Sequence, residues 1–169
     1  VEIAGACDLY SGRLERMKEL YGKDLYTTRD YRELLQRKDI DAVLIATGPN
    51  WHATAASLAA REGKDVYCEK PCTKNIAQSL AIADTFRRTG RILQAGTQRR
   101  NLPHFAFACE LARTGRLGKL HTMYAHPAGM ATQTSGWVAA ELEPPKEKVD
   151  WDLYLGPAAW RPFNKSLLD

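Results

Sequence analysis

The chain has 169 residues, 44% of them hydrophobic, and a formal net charge of +4 from 24 basic and 20 acidic side chains. That length suits one domain plus part of a second, and the apolar fraction is ordinary for a chain that buries a core. The basic residues are interspersed with acidic ones, which argues against a nucleic-acid surface; Arg87-Arg88 and Arg99-Arg100 read as a solvated helix end and a loop. No apolar run reaches the ~20 residues that cross a bilayer. Cys7, Cys68, Cys72 and Cys109 form no Cys-x-x-Cys or disulfide framework and are expected to be reduced, while His104, His121 and His126 lack metal-ligand spacing.

Strands alternate with helices along the chain, the pattern of a parallel α/β sheet with right-handed crossovers. A first strand is predicted over residues 1–8, ending on Asp8, and a helix capped by Ser11 turns Leu14, Met17, Leu20 and Tyr21 to one face before Gly22. Leu25-Tyr26-Thr27 is a short strand. Asp30 and Glu33 suggest a capping box, with Leu34 and Leu35 turned inward. The all-apolar run 42–46 predicts a central strand covered on both faces. A small-residue helix capped at Asn50 or its neighbour follows, through Arg61, and then the strand Asp65-Val66-Tyr67-Cys68 runs into Glu69-Lys70-Pro71.

Asn75 with Gln78 caps the next helix, whose inward residues are predicted as Ile76, Leu80, Ala83 and Phe86, with Gly90 closing it. A strand over 92–95 and a helix from Pro103 to Arg113 complete this part. Beyond Gly118 the texture changes: residues 121–126 resemble a strand, followed by a Gly-, Thr- and Ser-containing stretch and Pro144-Pro145. The predicted domain boundary divides residues 1–117 from 118–169.

Lys70 is the residue with the clearest chemistry. The carboxyl ends of parallel strands are where open α/β sheets bind ligands, the following Pro71 fixes the backbone, and a lysine amine there can move a proton. Ala46, Thr47 and Pro49 lie at another strand end, where main-chain groups can approach a cofactor. Asp8, ending the first strand, suits the acid that takes the ribose hydroxyls of a dinucleotide. No Gly-x-Gly-x-x-Gly occurs in the 169 residues, so the turn that would hold the pyrophosphate is expected upstream of Val1.

These segments resemble the Gfo/Idh/MocA oxidoreductases, glucose-fructose oxidoreductase and inositol dehydrogenase among them. The resemblance is carried by Pro49-Asn50-Trp51-His52, Glu69-Lys70-Pro71, Gln94-Ala95-Gly96-Thr97-Gln98-Arg99 and Gly115-Arg116-Leu117-Gly118. It implies a Rossmann-type parallel sheet lacking its first βα unit, followed by the start of an α+β substrate domain. It also implies NAD as cofactor, with NADP the alternative, and hydride transfer to or from a sugar, cyclitol or related polyol.

By the same resemblance Lys70 lies beside the nicotinamide and the substrate hydroxyl, often with a cis Lys-Pro bond, and Glu69 contacts the nicotinamide ribose. Glu69 alternatively orients Lys70 through a salt bridge. Thr47, Pro49, Trp51 and His52 match the cofactor loop, although Trp51 also fits a sheet cover and His52 a capping or packing role. Gln98 and Arg99 match a segment near nicotinamide and substrate. Trp160-Arg161 reads as packing or as a substrate-facing pair. The family's Asp-x-x-x-His element has no counterpart in these residues, which supports reading them as an internal piece of a longer enzyme, inactive by itself. The whole enzyme is expected to be a homo-oligomer and cytoplasmic, with an exported form as the alternative. Two rivals remain: a glycoside hydrolase of the same family that keeps NAD bound, and a non-catalytic homologue, which would have no use for Lys70.

Overall fold

A computed structural model describes residues 1–125 and 139–168. It contains the strands β1 (Gly5–Cys7), β2 (Tyr26–Thr28), β3 (Ala42–Ile45), β4 (Asp65–Glu69) and β5 (Leu93–Gly96). Between them run the helices α1 (Ser11–Tyr21), α2 (Tyr31–Gln36), α3 (Pro49–Arg61) and α4 (Ile76–Thr89). Every strand pairing is parallel, as the alternation predicts. The first and last strands are displaced from the predicted spans, since residues 1–4 lie outside β1 and β5 begins one residue later than expected.

The strands form two sheets, β1-β2 and β3-β4-β5, because β1 and β3 share no ladder among the described residues. β3 is therefore an edge strand, and its reading as covered on both faces is corrected. Ile45 is buried, but Leu44 is 69% exposed and stands in register with Tyr67 and Gln94 on the face away from the helices. An apolar run looks the same whether one face or two are covered, so composition could not separate the cases.

The core lies on the helical side of the three-stranded sheet. Ala53, Ala55, Ala56, Ala59 and Ala60 of α3 pack with Ile45, Val66 and Cys68 of the strands and with Ile82 and Phe86 of α4. Methyl side chains let a helix axis approach a sheet closely, and a larger residue at the fully buried Ala56 or Ala59 would cost ~1–3 kcal/mol of overpacking. Lys64 is buried below this layer, its Nζ donating to the carbonyls of Arg37 and Ile40 at 2.6 and 2.8 Å. The cation thereby satisfies main-chain oxygens where α2 ends.

Several local expectations change in three dimensions. Asp30 and Asn75 do cap α2 and α4, accepting from the amides of Arg32 and Gln78. Gln78 reaches back to the Lys74 amide at 2.9 Å, but Glu33 instead accepts from the hydroxyls of Tyr26 and Thr28. Ser11 begins α1 without capping it, and Gly48 rather than Asn50 caps α3, with Pro49 in its first turn. On α4 the inward residues are Ile82, Thr85 and Phe86, while Ile76 and Leu80 are 78% and 67% exposed. Leu20 and Tyr21 of α1 are exposed as well.

The chain divides into two compact units, one comprising Val1–Gly96 with Ala140–Asp169 and the other Thr97–Ala139. In the second unit a 3-10 turn over Gln98–Asn101 precedes α5 (Pro103–Arg113), which buries no residue. Residues 121–125 form no strand, a correction to the prediction, since among the described residues no neighbour offers them a ladder; His126 lies outside the described residues.

In the first unit, residues 140–168 carry α6 (Trp151–Leu155) and a small core of Trp151, Leu155 and Phe163. This segment is bound to the start of α3. The Asn50 side-chain amide donates to the carbonyls of Tyr154 and Leu155 at 3.2 and 2.7 Å, and the Trp51 indole donates to that of Leu153 at 3.0 Å.

Candidate active site

Because β3, β4 and β5 are parallel, their carboxyl ends lie along one edge, and the predicted site residues 46–49 and 69–70 follow from that edge. β4 runs one residue beyond its pairing with β3: Ile45 is opposite Cys68, whereas Glu69 is opposite Gly96 of β5. Gly96 is the device that admits Glu69. A Cβ there would lie 3.0 Å from Glu69 Oε2 and 3.1 Å from its Cα. The carboxylate also accepts the Lys70 amide at 3.2 Å. The Lys70-Pro71 peptide is cis, and the Lys70 side chain is exposed at this edge.

His52 closes the arrangement from the inside. Its ring is 1% exposed, with Nδ1 2.8 Å from the Pro71 carbonyl and Nε2 2.8 Å from the Thr47 carbonyl. Both nitrogens thus face main-chain oxygens, an arrangement that suits the packing role also expected of His52. Ala46, Thr47 and Pro49 are exposed at the end of β3, where their main chain can be reached. Trp51 is committed elsewhere, bonded to Leu153 and in edge contact with Tyr31, whose ring centroid lies 5.7 Å away.

Asp8 stands one residue past β1, on the other sheet. Its Oδ1 accepts the Tyr10 amide at 2.8 Å, and Oδ2 lies 3.5 Å from Arg13 Nη1, with the side chain 29% exposed. Near it, Arg29 donates to the carbonyls of Leu9 and Lys146, a further tie to the 140–168 segment. Gln98 and Arg99 belong to the second unit, in the exposed 3-10 turn. Trp160 is 72% exposed, while the Arg161 carbonyl accepts the Trp151 indole at 2.9 Å.

The thiols are structural. Burial, reinforced by the charges of Asp8, Asp30 and Glu33, pushes Cys7 up to about 12. Burial and then the neighbouring Cys72 push Cys68 up to about 12 as well. Neither is a thiolate near neutral pH. All four cysteines are unpaired with one another, and no metal-binding cluster occurs among the described residues.

A nicotinamide dinucleotide fits this donor set at its two ends. The partly exposed Asp8 carboxylate can accept ribose hydroxyls, and the edge around Glu69 and Lys70 offers a carboxylate, an amine and open main chain at the end of β3. The pyrophosphate has no glycine-rich cradle in these residues. Two residues that shape the site escaped the sequence patterns. Gly96 could have been inferred from a glycine at a strand end beside a parallel strand ending in Glu, and Arg29 carried no signal.

Comparison with known proteins bears on the family and the fold. Residues 1–97 match the Gfo/Idh/MocA model, described as an oxidoreductase family with an NAD-binding Rossmann fold. The scyllo-inositol 2-dehydrogenase (NAD(+)) of Bacillus subtilis is 34% identical over 66% of this chain and 32% of its own length. The structure of myo-inositol 2-dehydrogenase from Lactobacillus plantarum superposes with a TM-score of 0.66 at 27% identity, over 70% of this chain and 35% of that one. A 3-ketoreductase from Actinomadura kijaniata, solved with NADP, gives a TM-score of 0.61 at 26% identity, over 68% of this chain and 34% of that one. The chain spans about a third of the length of the curated relatives it matches. With a parallel Rossmann-type fold, an acid after β1 and Glu-Lys-cis-Pro at the end of β4, the chain belongs to the Gfo/Idh/MocA family of oxidoreductases.

Proposed function

We propose that these residues form the nucleotide-binding part of an NAD(P)-dependent dehydrogenase acting on a sugar, cyclitol or related polyol, with Lys70 as its proton-transfer group. The reading rests on one observation above all: an exposed lysine at the carboxyl edge of a parallel sheet, with its main chain held by Glu69 on one side and His52 on the other. Bound nicotinamide would supply the hydride acceptor. When the carbinol C–H passes its hydride on, the O–H must release a proton, and the neutral Lys70 amine takes it; in the reverse direction the ammonium returns it. Glu69 over Gly96 would meet the nicotinamide ribose, Asp8 the other ribose, and the exposed main chain of Ala46, Thr47 and Pro49 the cofactor's flank. Gln98 and Arg99 are assigned to the same cofactor.

The proposal takes residues 1–117 as the nucleotide-binding domain and 118–169 as the start of the substrate domain, whose 140–168 stretch packs with the first unit. The protein is read as a cytoplasmic homo-oligomer; unpaired cysteines support a reducing compartment, and no described helix is long and apolar enough to cross a membrane. In the natural protein that carries these residues, Lys70→Met is expected to lower turnover of an inositol or sugar by ~10²-fold or more, with NAD affinity within a few-fold. Unchanged turnover would refute the assignment.

A further inference from the structure

We propose that His52 is a positioning residue for Lys70, its imidazole seated between the Pro71 and Thr47 carbonyls and donating from Nδ1 to that of Pro71, so that the loop presenting the amine is held from within the sheet edge. The inference rests on the reading of Lys70 as the proton-transfer group, and it goes beyond it by naming what holds that group. Pro71 directly follows Lys70, and its carbonyl lies 2.8 Å from His52 Nδ1; Thr47 lies two residues past β3, and its carbonyl is 2.8 Å from Nε2.

β3 ends at Ile45 and β4 at Glu69, so both carbonyls stand beyond the sheet's ladder. The ring is 1% exposed, so its nitrogens are shut off from water and meet these carbonyls instead. Proline has no N–H, so the carbonyl is the main-chain group through which residue 71 can be anchored. Together with the bond from the Lys70 amide to Glu69 Oε2, the tie fixes the backbone on both sides of Lys70 while its side chain stays at the surface. α3 holds the ring in place, since His52 shares its buried face with Ala55, Ala56 and Ala59.

The two contacts can be separated. An Asn amide at position 52 stands about where Nδ1 stands and can serve Pro71, whereas a Gln amide reaches about as far as Nε2 and can serve Thr47. If His52 merely fills space, His52→Asn and His52→Gln should behave alike. Amide hydrogen exchange of the 169-residue chain, followed residue by residue, is the first arm of the test. In His52→Phe and His52→Gln the amides of Lys70 and Cys72 should exchange ~10-fold faster or more relative to Val66 and Ile82, and Asn should restore them to within ~3-fold of the parent.

The second arm is turnover in the natural protein. There kcat should fall ~10-fold or more for Gln and Phe with KM for NAD little changed, and Asn should rescue it, because small displacements of a catalytic group are costly. Equal exchange in Asn and Gln overturns the proposal, and that comparison still decides if the Phe variant does not fold. An exchange split with fully active Lys70→Met would leave the tie standing and refute the catalytic reading. No split with an inactive Lys70→Met would do the reverse.

Discussion

Gly156→Ala should release residues 140–168 from the body of the first unit. Gly156 closes α6 with φ 50° and ψ −123°, and a Cβ built there lies 2.2 Å from Trp51 Cζ2 and 2.3 Å from Cε2. The indole cannot simply recede, because its N–H is bonded to the Leu153 carbonyl at 3.0 Å and its ring meets Tyr31 edge-on. A positive φ costs a non-glycine residue ~1–2 kcal/mol, and forcing a methyl into a packed contact costs ~1–3 kcal/mol, together ~2–5 kcal/mol. Against this stand the two bonds from Asn50, the one from Trp51 and the one from Arg29 to the Lys146 carbonyl, at ~0.5–1.5 kcal/mol each. The strain therefore matches what holds the segment, and undocking relieves it at once.

Limited trypsin digestion reads this directly, because Lys146 and Lys148 lie in the stretch leading to α6. Cleavage there should accelerate ~10-fold or more, since local opening governs access to protease. The small core of Trp151, Leu155 and Phe163 should travel with the released piece. An unchanged cleavage pattern together with an unchanged urea midpoint would refute the packing argument.

Three further outcomes are expected. Lys64→Met removes the donor to two carbonyls at a 7% exposed site and should destabilise the chain by about 2 kcal/mol in urea denaturation; a change below ~0.5 kcal/mol would show that those carbonyls find other partners. The thiols predict an alkaline loss of stability. Cys7 and Cys68 are raised from 9.0 to about 12, so the unfolded chain releases those protons first and the loss, absent at pH 7, develops from about pH 9 to about pH 12. At pH 10 Cys68, which is fully buried, should account for on the order of 1 kcal/mol of this loss, and Cys68→Ala, compared with the parent at pH 8 and pH 10, should show a shallower slope. Finally, the carboxylate of Asp8 should make the natural protein bind NAD ~10-fold tighter than NADP, despite Arg13 at 3.5 Å; equal or tighter NADP binding in a competitive titration would defeat this.

Much of the fold was legible because it depends on local rules. The Asn75–Gln78 cap, the left-handed Gly90 at the end of α4 and the Pro103 start of α5 each follow from the chemistry of one turn. The inward face of α4 was legible only at Phe86: Ile76 and Leu80 are apolar and exposed, yet Thr85 is buried, and a helix of mixed pattern is oriented by what it packs against. Likewise the edge position of β3 depends on which strands pair, which no single segment specifies.

The candidate site divides in the same way. The sequence by itself determined that Lys70 follows a strand, that Pro71 stiffens its loop and that Asp8 lies at the carboxyl end of another strand, one residue past it, since strand-forming runs and proline act over a few residues. Only the tertiary structure decided that Glu69 rests on Gly96, that His52 spends both ring nitrogens on the loops of β3 and β4, and that Trp51 and Asn50 hold a segment about a hundred positions away. Glu69 needs only the absence of a side chain at Gly96, while the contacts of His52, Trp51 and Asn50 are made to main-chain carbonyls. A carbonyl is present at every residue and leaves no mark in the sequence, so its pairing can be known only once the fold has brought a donor to it.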